Sequence, residues 1–228
     1  MSQATNVSDL PLLSRTPDSW AGAVIKDLLA LLNDHAYLEK KAASNALELL
    51  NRWPEPDCPP DWVSALAAIA SDEAAHLSLV VRLLNRRGGR LERTHRNPYA
   101  NALRALVRKG RGNEELVDRL LISALIEARS CERFEVLARC CPDRELARFY
   151  ERLSSSELGH YTVFVRLAGH VMSEEDVGRR WRELLEAETV LIATQLSVTV
   201  SEGTTFSAMW GPSWNLWVSM KRSRSSRH

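Results

Sequence analysis

Ser71-Asp72-Glu73-Ala74-Ala75-His76 and Ser156-Glu157-Leu158-Gly159-His160-Tyr161 are the two stretches on which the reading of this chain turns. Each sets a glutamate and a histidine three residues apart, so that on a helix both side chains leave the same face. A lone Glu-x-x-His is a weak signal, because both residue types are common on helix surfaces. The weight comes from the flanking residues, which place each pair on the stripe that a packed helix buries.

Alternating steps of three and four give that stripe for each long helix. In the first (helix A) it reads Leu28, Leu32, His35, Glu39, Ala42, Ala46 and Leu49. In the second (B) it reads Leu66, Ile69, Glu73, His76, Val80 and Leu83. The third (C) gives Leu120, Ala124, Glu127, Cys131, Phe134 and Ala138, and the fourth (D) gives Leu146, Tyr150, Leu153, Glu157, His160, Phe164 and Leu167. Every stripe is apolar until a glutamate interrupts it, and two carry a histidine as well.

A buried carboxylate without a partner costs several kcal/mol. Four of them call for a shared cation, and two Fe²⁺ ions balance four carboxylates while neutral imidazoles complete the coordination. The heights agree. Glu39 lies about twelve residues before the end of helix A and Glu73 about twelve after the start of B, so an antiparallel pair sets them level. Glu127 and Glu157 pass the same test in C and D. Helices B and C must start at the same end of the bundle, which requires a long crossover, and Gly88 to Asn113 supplies it. One Glu from each of two helices with Glu-x-x-His from each of two others is the ferritin-like di-iron arrangement. The expected fold is therefore all-α: a ferritin-like four-helix bundle, a long crossover between the second and third helices, and an additional C-terminal helix. The expected metal ligands are Glu39, Glu73, His76, Glu127, Glu157 and His160.

Breakers and caps give the boundaries. Thr16-Pro17 opens helix A, which runs to about Asn51 and stops at Trp53-Pro54. Helix B runs from about Asp61 to Leu84 and ends at Gly88-Gly89. A short helix spans Pro98 to Lys109, helix C about Glu114 to Cys140, and helix D about Asp143 to His170. Ser173 with Asp176 forms a capping box for a fifth helix to about Leu191. Residues 1–15 read as an N-terminal extension, 16–192 as the bundle and 193–228 as a tail without an assigned fold.

A chain of 228 residues with 45% hydrophobic and 26% charged side chains suits one substantial helical domain. Met1 to Leu10 lacks a basic segment followed by an apolar core, and no stretch approaches roughly 18 consecutive apolar residues, so a soluble cytoplasmic protein with no membrane partner is expected. Cys58, Cys131, Cys140 and Cys141 show no paired spacing and read as reduced thiols. His35, one turn before Glu39, reads as a hydrogen-bonded core histidine. Glu132 and Glu135 fall off the helix C stripe and read as a solvated face with local ion pairs.

Net charge is only +1, yet from Arg82 to Arg111 ten basic residues face one acid, Glu92. Arg86, Arg87, Arg90, Arg93, Arg96, Arg104, Arg108, Lys109 and Arg111 make a candidate phosphate-contacting surface. Tyr99 suits stacking on a base or packing of the short helix equally well.

From about Leu29 to Glu188 the chain resembles the bacterial tRNA-(2-methylthio-N6-isopentenyl-adenosine) hydroxylases, ferritin-like di-iron monooxygenases. The likeness rests on Asn33-Asp34-His35-Ala36-Tyr37-Leu38-Glu39-Lys40-Lys41-Ala42, on the two stretches quoted first, and on Glu127-Ala128-Arg129-Ser130-Cys131-Glu132-Arg133-Phe134. The tail after about Val190 does not share it. The resemblance implies O₂-dependent hydroxylation of the isopentenyl group on the hypermodified adenosine next to the anticodon. It also implies two iron ions, O₂ as co-substrate, tRNA as partner and an external electron donor of the reductase or ferredoxin type. Two alternatives share the ligands: ferritin-type iron storage, and a di-metal oxidase with a small-molecule substrate. The basic crossover favours tRNA over storage.

Overall fold

The computed structural model describes residues 6–95 and 97–201, and among them every regular element is helical. These are α1 (Asp18–Val24), α2 (Leu28–Leu49), α3 (Trp62–Arg86), α4 (Pro98–Ala105), α5 (Asn113–Cys140), α6 (Arg144–Val171) and α7 (Glu174–Ser201). Helices α2 and α3 pack as one pair and α5 and α6 as the other, with α1, α4 and α7 laid against α5. Short connections make each pair antiparallel, and the 87–112 segment carries the chain back between them.

The stripes read from the sequence point inward. Leu32, His35, Glu39, Ala46 and Leu49 of α2, Leu66, Ile69, Glu73, Val80 and Leu83 of α3, and all seven stripe positions of α6 are buried. Capping fixes the ends. Asp143 accepts from the backbone N–H groups of Glu145 and Leu146 at the start of α6, and Asn97 from that of Ala100 at the start of α4. Ser173 caps α7 as expected, its Oγ accepting from Asp176 N–H at 3.2 Å, but the return bond of a capping box is replaced by one from the Ser173 hydroxyl to Asp176 Oδ2 at 2.7 Å. After α3 the chain turns at Gly88 with φ +80°, and a Cβ on Gly89 would meet Leu84 Cδ1 at 2.4 Å.

Several boundaries differ from expectation. Helix A is not continuous: α1 ends at Val24, a 3₁₀ turn spans Ile25–Asp27, and α2 begins at Leu28. The Asp27 carboxylate accepts from Ala30 N–H and so caps a new helix, while α1 buries Trp20, Ala21 and Val24. Helix α4 stops at Ala105 rather than Lys109, because Asp118 takes the Arg108 backbone N–H at 2.8 Å and grips its guanidinium. Helix α7 continues to Ser201, past both Leu191 and the 192/193 boundary drawn from the sequence; residues 202–228 lie outside the described residues. The read N-terminal extension is tied down, with Leu10 and Leu12 buried and Arg129 Nη1 donating to Ser14 O at 3.1 Å.

Helix α5 is enclosed on most sides, which explains charges that a single stripe cannot. Asp118, Arg129, Glu132 and Arg133 are all buried. Arg129 donates to both oxygens of Glu188 on α7 at 2.8 and 3.0 Å, and Tyr99 donates to the same carboxylate at 2.9 Å. Glu132 accepts from Thr16 N–H at 2.6 Å, Thr16 Oγ1 at 2.7 Å and Arg129 at 3.2 Å. Arg133 lies over the Trp20 and Tyr99 rings, and burial pulls its guanidinium down to about 10. The solvated-face reading thus holds for exposed Glu135 and is corrected for Glu132, and Tyr99 is a packing residue with no face free for a base.

By length and composition α3 passes the test for a membrane-crossing helix. It carries Asp72, Glu73 and His76 at mid-length and packs its buried face against α2 and α6 in the bundle.

Candidate metal centre

The six residues expected to hold metal come from four helices and meet at one level. Glu39 on α2, Glu73 on α3, Glu127 on α5, and Glu157 with His160 on α6 are buried, and the His76 side chain is 12% exposed. Two overlapping groups form, each with its ligand atoms within 4.8 Å of one another. One is Glu39, Glu73, His76 and Glu157; the other is Glu73, Glu127, Glu157 and His160. Glu73 and Glu157, the glutamates of the two Glu-x-x-His pairs, are common to both groups and could each serve two ions, whereas Glu39 with His76, and Glu127 with His160, would each serve one.

The donor atoms already face one another. His76 Nδ1 lies 3.6 Å from both Glu39 Oε2 and Glu157 Oε1. His160 Nδ1 lies 2.7 Å from Glu73 Oε1 and 3.6 Å from Glu157 Oε2. Yet His76 Nδ1, His160 Nδ1, Glu73 Oε1 and Glu157 Oε1 are buried without a hydrogen-bond partner. Buried polar atoms are rarely left so. Lone pairs converging on a common point fit cations between them, and the oxygen and imidazole donors suit hard or borderline divalent metal.

Electrostatics point the same way. Burial, with Glu157 and Glu127 nearby, pushes Glu73 well above the usual carboxylate range, and burial with Glu157 does the same to Glu127. Glu157 is pushed up to about 8, chiefly by burial. Burial would raise Glu39 too, but His35 bonded to it and His76 close by hold it low. Four carboxylates at this spacing cannot all ionise unless positive charge joins them.

Around the cluster, His35 is the expected core histidine. Its Nε2 lies 2.5 Å from Glu39 Oε1, and its ring sits among Phe134, Phe149 and Tyr150. Sequence reading missed Asp72, whose Oδ2 lies 3.4 Å from His160 Nε2. An acid directly before the first Glu-x-x-His was the available signal, since metal-binding imidazoles are commonly oriented by a carboxylate on the other nitrogen. Cys131 donates to Ser154 O at 3.0 Å, burial pushes its thiol up to about 12, and it belongs to neither ligand group; no disulfide occurs among the described residues.

A cleft of about 580 Å³ opens onto the cluster between α2, α5 and the crossover. Glu39, Glu73, Glu127 and Glu157 reach its lining, Leu38, Ala42, Ile122, Ile126 and Phe134 give apolar walls, and Lys40, Lys41, Arg104, Lys109 and Arg119 bring cations. The crossover is latched over α2: Tyr37 OH donates to Glu92 O at 2.5 Å, Glu92 N–H to Asn33 Oδ1 at 2.9 Å, and His95 bonds Asp34 while stacking on Tyr37. Burial and the neighbouring Arg104 hold the Lys41 ammonium below its usual range.

The basic residues singled out from sequence are scattered by the fold. Arg104 and Lys109 line the cleft, and Arg90 and Arg93 are exposed. Arg86 and Arg87 are engaged by Glu145 and Asp143, Arg108 by Asp118 and Glu114, and Arg111 by Glu114. Arg96 lies outside the described residues. Lys40, Lys41 and Arg119 were missed, because they belong to bundle helices and not to the crossover run.

An all-helical bundle with these two Glu-x-x-His pairs is the ferritin-like di-iron oxygenase fold. A solved structure described as Protein 43 with aldehyde deformylating oxygenase activity, from Synechococcus, matches with a TM-score of 0.72 and 33% identity, over 78% of this chain and 86% of that one. Residues 3–199 match the family described as tRNA-(MS[2]IO[6]A)-hydroxylase (MiaE), and the chain belongs to that family. The tRNA 2-(methylsulfanyl)-N(6)-isopentenyladenosine(37) hydroxylase of Pseudomonas putida is 40% identical over 177 residues, 78% of this chain and 84% of that protein. The protein of the same description from Salmonella typhimurium is 28% identical over 223 residues, 78% and 82% of the two chains.

Proposed function

We propose that this chain hydroxylates the isopentenyl group of 2-methylthio-N6-isopentenyladenosine in tRNA, next to the anticodon, using O₂ and two iron ions held by Glu39, Glu73, His76, Glu127, Glu157 and His160. The observation that carries the reading is a cleft that joins a cationic mouth to the carboxylate and imidazole cluster. Its volume falls in the roughly 300–1,000 Å³ range of sites for small molecules and cofactors.

When bound, the iron pair supplies the activation of O₂ and the oxidising power toward an allylic C–H bond. The rest falls to the chain. Lys40, Lys41, Arg104 and Lys109 meet the RNA backbone, which positions the target nucleotide without reading it. The apolar wall of Leu38, Ala42, Ile122 and Ile126 receives the prenyl group and keeps water from the cluster. Asn45 and Ser123, bonded across the wall at 2.8 Å, present uncharged polar groups to the base. His35 holds Glu39 and Asp72 holds His160, fixing ligands that must not swing. The protein acts in the cytoplasm, off the membrane, with a reductase or ferredoxin-type donor.

Iron stoichiometry separates this reading from storage. Aerobic Fe²⁺ addition should saturate near two ions per chain, and tRNA bearing the prenylated base should bind more tightly than tRNA lacking it. Continued uptake far beyond two ions, with no preference between the RNAs, would make storage the better reading.

A further inference from the structure

The metal cluster approaches solvent on a second side. Opposite the α2/α5 cleft, the seam between α3 and α6 opens into a shallow depression walled by Ala65, Ala68, Ser155, Ser156 and Gly159, with His160 at its floor. The two clefts share no lining residue. His160 turns Nδ1 to the cluster and Nε2 to Asp72, whose side chain is 59% exposed. On this face, then, the cluster lies two side chains from solvent.

Both ends of the seam are pinned. Arg86 meets Glu145 at 2.5 Å at one end, and at the other Asp61 meets Arg166 and His170, each at 3.1 Å. Between these pins the helical rows continue by steps of three and four through Asp72, Leu79 and Arg82 on α3 and through Arg148, Arg152 and Ser155 on α6. Leu79 is 43% exposed. Arg82 donates only to Ser78 Oγ, and Arg148 and Arg152 are exposed; none of the three has an acidic partner among the described residues. An exposed apolar residue in line with three cations that lack acidic partners suits a small, transient interface with an anionic partner.

The reaction says which partner is needed. Hydroxylation places one oxygen atom of O₂ in the C–H bond and releases the other as water, consuming two electrons and two protons from outside. The α2/α5 mouth is taken by RNA while the substrate is bound, so a donor has to reach the cluster from elsewhere. We propose that the α3/α6 seam docks an acidic one-electron carrier of the ferredoxin class, which passes electrons inward by way of Asp72 and His160. This rests on the hydroxylase reading above.

The test uses the iron-loaded full chain, an acidic [2Fe–2S] ferredoxin as probe, and the double variant Arg148→Glu with Arg152→Glu, both positions exposed on α6. Reversing two rim charges should weaken ferredoxin binding in calorimetry, and slow stopped-flow oxidation of the reduced ferredoxin, by about tenfold or more at low salt. Reduction by dithionite and affinity for tRNA should stay at wild-type levels. Unchanged ferredoxin binding and oxidation, or a wild type that dithionite reduces and ferredoxin does not, would overturn the proposal. A fall in tRNA affinity in place of ferredoxin affinity would make the seam an RNA surface. A folded wild type that takes up no iron would refute the metal reading itself, and this proposal with it.

Discussion

Removing the metal should turn the cluster into a source of pH-dependent instability, and Glu157 shows how large the effect is. Its carboxyl is pushed up to about 8, mainly by burial. For an acid whose folded value is raised, the native state holds its proton where the unfolded chain has already released it. Stability therefore falls as pH rises from the ordinary carboxylate range toward 8. At about 1.4 kcal/mol per unit, that single group costs the metal-free fold on the order of 5 kcal/mol by pH 8. The sum is comparable to the whole stability of many domains. Urea unfolding of the chelator-treated protein from pH 5 to pH 8 measures it, with Glu157→Gln as the control that removes the titrating group. The wild type should lose stability steadily across that window, the variant should lose less, and two equivalents of Fe²⁺ under argon should restore the wild type alone. Metal-free protein that is equally stable, or more stable, at pH 8 than at pH 5 would refute the picture of a carboxylate cluster held together by cations.

Glu127→Ala should lose one or both metals by elemental analysis, whereas Glu132→Ala should keep both but destabilise the fold by roughly 3–5 kcal/mol in denaturant titration, since it strands Arg129 and the Thr16 amide. Lys41→Ala with Arg104→Ala should weaken tRNA binding and reduce the slope of log affinity against log salt by about one for each phosphate no longer neutralised. Arg86→Ala with Arg87→Ala should do less, because Asp143 and Glu145 already neutralise those cations; the reverse ranking in a filter-binding salt series would put the RNA on the bundle end. His35→Leu should leave the chain folded but broaden and shift the optical spectrum of a Co²⁺-substituted centre, with His35→Gln restoring it in part, because only the latter can still bond Glu39.

The buried faces of the four long helices, and all six residues of the cluster, were legible in the sequence. A carboxylate interrupting an apolar stripe leaves a mark that periodicity picks up, and helix length then fixes its height. Periodicity fails where a helix is enclosed on several sides. On α5 the residues off the stripe, Glu132 and Arg133 among them, meet Thr16, Trp20 and Tyr99, and a one-stripe reading takes such charges for solvated ones. Charge density along the chain misled for a related reason. It sees sequence neighbours, whereas Arg108 is consumed by Asp118 ten residues on and Arg86 by Glu145 fifty-nine residues on. Two cations of the cleft mouth, Arg104 and Lys109, do come from the basic crossover run, while Lys40, Lys41 and Arg119 come from α2 and α5, and only the fold brings the five together.

Hydroxylation itself is tested by incubating the iron-loaded, reduced chain with ¹⁸O₂ and tRNA carrying 2-methylthio-N6-isopentenyladenosine, then digesting the RNA and weighing its nucleosides by mass spectrometry. The expected product is a nucleoside heavier by one ¹⁸O atom, with the label on the isopentenyl group, and none should form with Glu127→Ala. An unmodified nucleoside pool from a chain shown to hold two irons would contradict the assignment of this cluster as a tRNA hydroxylase centre.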